Sequence, residues 1–202
     1  MTVAPRRDTG RVDQSRAAVL ARLHPLLEAV HEALSAGVAV SHAVHTEHGW
    51  NPAADRHLDR QLVRREAMER LRPWSAPAAA GLQLELDLFD TSTDNLGLPM
   101  SGLILRTPTD VVRVWHSDDG ELPAADSQAL QAFYRQTPTT QTQLVLDGDR
   151  APATACHLAL LWADAGGAIT RLELVRPWGH AGRRVQVDWR ADLLAALRAP
   201  AG

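Results

Sequence analysis

Three of the nine histidines, His42, His45 and His48, fall within seven positions around Glu47, and Asp55, His57 and Asp59 follow closely. Neutral imidazole and carboxylate are the ligands that zinc and other transition metals take, and a bound metal can acidify a water for hydrolysis. On a helix a spacing of three sets neighbouring members on adjacent faces, so two imidazoles and a carboxylate from a following helix could share one ion. The set with that chemistry is His42, His45, Asp55 and Asp59, and it implies a metal-dependent hydrolase carrying zinc or a similar metal. Two features oppose it: the HExxH spacing is absent, and three residues spaced by three fan over about 120° of a helix. In the competing reading His45 and His48 occupy the last helical turn before Gly49, where imidazole meets free carbonyls and the negative helix end.

Other clusters carry weaker chemistry. Asp90-Thr91-Ser92-Thr93-Asp94-Asn95 spaces oxygens as hard cations require, yet Asn95 stands where a calcium loop needs glycine and Ser101 where it needs glutamate. A turn with side chains bonded to its own backbone accounts for that composition. Arg56, Arg60 and Arg64 form a stripe at four-residue spacing, suited to nucleic-acid phosphates, but Asp55, Asp59, Glu66 and Glu69 are interleaved with it and favour ion pairs within the helix. Glu85 and Asp87 would project about 6.6 Å apart on one strand face, a spacing that alternation produces by default. No GxSxG, P-loop, GxGxxG or CxxC motif occurs. The single cysteine, Cys156, lies in an apolar run where a buried, inert thiol is expected.

The tryptophans point toward recognition. Six accompany only one tyrosine and two phenylalanines, and Arg72-Pro73-Trp74 recurs as Arg176-Pro177-Trp178. Arginine and tryptophan are enriched where proteins meet, so Arg72, Trp74, Arg176 and Trp178 are the candidate partner-binding residues. The plainer alternative is that these indoles cover core edges.

The elements that must position these groups follow from periodicity. Val19, Leu20, Leu23, Leu26, Leu27, Val30 and Leu34 form one apolar stripe, predicting a helix over 13–36 with a break or kink at Pro25 and a stop at Gly37. A second helix is expected from Pro52 to Arg72, closed by Pro73. Beyond a Pro/Ala-rich linker at 73–81 the period changes to two: Leu82, Leu84, Leu86 and Leu88 alternate with polar residues as in a half-buried strand. Strands are expected at 103–106 and 111–116, a helix at 123–136, strands at 143–146, 155–163, 169–175 and 185–189, and a final helix holding Leu193, Leu194 and Leu197. Gly166-Gly167 is a hairpin signal.

The fold class is therefore α+β: N-terminal helices, then a mostly antiparallel sheet with one inserted and one C-terminal helix. Three regions result, a helical segment 1–72, a linker 73–81 and a sheet domain 82–202 that can pack with the helices as one unit. The order of elements is loosely similar to that of small dimeric bacterial chaperone folds, a likeness of order with no shared motif.

Composition bounds the function class. The chain has 202 residues, is 45% hydrophobic and 22% charged, and contains no apolar run of membrane length. The lone cysteine precludes an internal disulfide and the polar first ten residues lack an apolar signal core, so a cytoplasmic location is expected. All 21 basic residues are arginine, which reads as codon bias of a GC-rich bacterial genome. Residues 1–72 carry 11 arginines against 9 carboxylates and the remainder 10 against 15, without the basic excess of a nucleic-acid binder. The leading expectation is a non-enzymatic bacterial protein that binds a protein partner or itself, as an adaptor, chaperone-like or regulatory module, with no cofactor. The alternatives are the metal-dependent hydrolase and nucleic-acid binding through Arg56, Arg60 and Arg64.

Overall fold

The computed structural model describes residues 13–75, 85–87, 103–139 and 155–198. The expected strand at 143–146 and the loop Asp90–Asn95 lie outside the described residues, as does most of the expected linker.

One long helix, α1 (Arg16–His48), opens the fold, with Ser15 as its N-cap accepting a hydrogen bond from the Ala18 N–H. Its apolar stripe from Val19 to Val38 is buried. Neither Pro25 nor Gly37 interrupts it. Pro25 lies on the solvent face, as does Ala21, whose carbonyl loses its usual donor, so water can satisfy that group. Gly37 is a contact point instead of a stop: a Cβ there would sit 2.6 Å from the Val63 carbonyl oxygen, so the missing side chain lets the second helix pack close. The helix ends at Gly49, whose φ of 65° is left-handed and whose N–H reaches the His45 and Thr46 carbonyls.

An Asn51 side chain organises the turn by accepting from the Ala53 N–H, and α2 (Arg56–Leu71) starts four residues later than expected, capped by Asp55. Val63, Ala67, Met68 and Leu71 face α1 and the sheet. A 3-10 turn, Arg72–Ser75, carries Pro73 and Trp74.

Six strands follow, adjacent in space in sequence order: β1 (Glu85–Asp87), β2 (Leu103–Arg106), β3 (Asp110–His116), β4 (Cys156–Ala165), β5 (Ala168–Ala181) and β6 (Arg184–Asp192). All neighbours are antiparallel except β3 and β4, which run parallel from Asp110 beside Cys156 to His116 beside Trp162. This parallel pair is the exception within the mostly antiparallel sheet that the sequence implied, since short connections favour antiparallel neighbours. A parallel pair needs a crossover, and the connection 117–155 contains α3 (Gln128–Tyr134), shorter than the expected 123–136 helix and capped by Ser127. The class remains α+β with a mostly antiparallel sheet, closed by α4 (Leu193–Arg198).

Alternation along the strands builds two cores. Leu103, Leu105, Val112, Val114, Leu158, Leu160, Trp162, Leu172 and Leu174 pack with the apolar stripes of α1 and α2. On the other side Ile104 and Val111 meet Phe133 and Tyr134, while Ala159, Leu161 and Val175 form a neighbouring cluster. Because β4 is covered on both faces it reads as a near-continuous apolar run. Each large side chain so buried contributes about 1.5–3 kcal/mol. Gly166 and Gly167, with φ of 58° and 81°, make the expected two-residue hairpin. β5 extends well past its expected end because register shifts on either side of Pro177 absorb a residue that has no N–H to give.

Candidate functional site

The histidine cluster is dispersed by its own local bonds. His45 is 1% exposed; its Nδ1 lies 2.8 Å from the Ser41 carbonyl oxygen, one turn back along α1. The Ser41 hydroxyl donates to Asp59 Oδ1 at 2.6 Å, tying α1 to α2. Asp55 accepts from the Leu58 N–H as the α2 cap. His42 is exposed and lies against Gly167 of the β4–β5 turn, while His48 stacks on Trp50 with ring centroids 4.6 Å apart. Ser41 Oγ also lies 3.3 Å from His45 Nδ1, so one hydroxyl links His45 and Asp59, while Asp55 serves as the α2 cap and His42 lies against Gly167. Among the described residues no three His, Cys, Asp or Glu side chains are placed to hold a metal.

Arg56 and Arg60 reach Asp118 at 3.7 and 3.8 Å, so part of the arginine stripe faces a carboxylate at the end of β3. Arg64 is half-buried. Lower on α2, Arg70 pairs with Glu66 at 2.8 Å and Arg72 with Glu69 at 2.7 Å.

Close to Asp118 is a pair that sequence reasoning missed. His116 Nε2 lies 3.2 Å from Asp164 Oδ1 and 3.7 Å from Asp118 Oδ1, with the imidazole edge against Trp162. Asp164 follows a register shift after Ala163, a bulge of the kind that re-aims a side chain. An Asp–His pair is the orienting half of a general-base site. Here the other ring nitrogen, Nδ1, is buried without a hydrogen-bond partner, and neither surface groove described below includes this pair. The cluster therefore joins the end of the parallel pair to α2 through Asp118. No sequence spacing could have signalled it, since it depends on β3 pairing with β4 across 48 positions.

The two Arg-Pro-Trp tripeptides meet different fates. Arg176 is 1% exposed and bonded to Asp188 at 2.6 Å, to Gln14 and to the Thr137 carbonyl. A buried guanidinium requires such partners, and these take it away from the surface. Its neighbour Trp178 is half-buried, and Arg72 is exposed. Burial also pushes the nearby Cys156 thiol up to about 11, with Arg176 opposing the shift.

Trp74 is half-buried, leans on the main core and forms one wall of a groove of about 400 Å³ with Glu28, Ala29, Glu32, Ala33 and Arg70. A second groove of about 420 Å³ shares Glu28 and Glu32 and is walled by Ile169, Leu194 and Leu197. The two carboxylates, one turn apart on α1, form the ridge between them. Trp50 is another residue the sequence reading passed over: at 49% it is the most exposed large hydrophobic among the described residues. Its place between the cap Gly49 and the turn residue Asn51 was the available signal.

No protein-family model, curated protein or solved structure matches this chain. Among the described residues no helix is long and apolar enough to cross a membrane.

Proposed function

We propose that the protein acts by binding a protein partner through the outer face of α1, with Trp74 as the anchor. The observation that carries this reading is the pair of grooves meeting at Glu28 and Glu32, one walled by Trp74 and the other by Ile169, Leu194 and Leu197. Helices α1 and α2 lie on one face of the sheet and α3 on the other, so the sheet faces are less suited to docking than the helical surface. Indole and aliphatic walls beside charged groups are the composition of binding hot spots. In this reading the chain is an adaptor or regulatory module of the bacterial cytoplasm. The buried lone thiol and the arginine-only composition support that setting.

Co-purification tests it. Wild-type protein should retain a stoichiometric partner that Trp74→Ala releases while its circular dichroism stays unchanged. Equal retention by the variant removes the reading.

A further inference from the structure

We infer that the segment this groove accepts is a cationic amphipathic helix, an inference that rests on the partner-binding reading above. Glu28 and Glu32 are both exposed, and side chains four apart on a helix sit about 5–6 Å from one another. Glu32 forms no ion pair among the described residues. Among the described residues Glu28 pairs with His24 alone, at 3.3 Å, an imidazole that carries charge only when protonated. The one arginine lining the first groove, Arg70, is already bound to Glu66. Two carboxylates therefore face the grooves without a permanent counter-charge.

On each side of that acidic ridge stand apolar side chains packed on the main core, Trp74 next to Arg70 on one side and Ile169, Leu194 and Leu197 on the other. The surface thus presents an apolar, acidic, apolar sequence of strips along a helix. Its complement is a helix laid beside α1, with arginine or lysine one turn apart to meet the carboxylates and aliphatic side chains flanking them. Opposite charge sets register and orientation, and the apolar walls supply affinity. A polyanion such as nucleic acid would be repelled at this face.

The test uses the full chain and a labelled helical peptide of about 18 residues, with leucines on one face and arginines one turn apart beside them; its control replaces the arginines with glutamate. Fluorescence anisotropy should show the arginine peptide binding at least about ten-fold more tightly than the control. The double variant Glu28→Gln/Glu32→Gln should lose about ten-fold in affinity together with most of the salt dependence, and Trp74→Ala should weaken both peptides. Equal binding of the two peptides, or an unaffected double variant, overturns the charge assignment, and the groove reading survives if Trp74→Ala still weakens binding. Binding that ignores all three substitutions overturns both. If the arginine peptide does not bind, this inference alone falls and the groove is left to the co-purification result.

Discussion

Arg22 of α1 forks onto Asp110 at the head of β3, its Nε 2.9 Å from Oδ2 and its Nη2 on the other carboxylate oxygen, across 88 positions of sequence. Asp110 is fully buried and also accepts the Thr107 and Thr109 hydroxyls. The pair pins the first turns of α1 to the strand that begins the parallel pairing, which orients the rest of the helix and with it the ridge of Glu28 and Glu32.

Removing one member of a buried pair leaves the other charge uncompensated, at a cost of about 3–5 kcal/mol. Arg22→Ala is expected toward the low end, since the arginine is 24% exposed and water can reach it. Urea unfolding measures this; a loss below about 1 kcal/mol would mean that the fork does not form.

Arg176 and Arg72 head identical tripeptides and should respond oppositely. Arg176→Ala leaves the Asp188 carboxylate with the Thr139 N–H but without its counter-charge, and should lower stability by about 3 kcal/mol. Arg72→Ala breaks a solvent-exposed, screened pair with Glu69 and should leave the unfolding midpoint nearly unchanged. Similar costs in denaturant titrations would contradict the environments described for the two.

Gly37→Ala sets two effects against each other. Alanine improves helix propensity by about 1 kcal/mol. The new Cβ would meet the Val63 carbonyl oxygen at 2.6 Å, and backbone at that distance must move, an overpacking cost of about 1–3 kcal/mol or more. A net loss of stability is expected; a variant with a higher Tm would show that α1 and α2 do not cross there.

The thiol of Cys156, raised by burial to about 11 from an ordinary value of 9.0, favours the folded state while it stays protonated. Its contribution is fully present below about pH 9 and is lost as pH rises toward the folded value, because the unfolded chain ionises first. Native protein at pH 8 should react with a thiol reagent far more slowly than urea-unfolded protein. The stability decline between pH 9 and 11 should flatten in Cys156→Ala; a native thiol that reacts as fast as the unfolded one would sink this account.

Residue type and near-neighbour spacing determined the local pieces: the apolar stripe of α1, a helix end at Gly49, the Gly166-Gly167 hairpin and the apolar strand around Cys156. Those features depend on neighbours within a turn or two, so periodicity and backbone preference suffice to read them. Tertiary structure alone decided that Gly37 is a crossing point, that β3 and β4 run parallel, that His116 meets Asp164 and that Arg176 is buried while Arg72 is not. It also drew Trp74 and Leu194 to opposite sides of one acidic ridge. Each of these turns on which distant segment packs against the residue, and that is set by the summed burial of both cores, a quantity no local window of sequence contains.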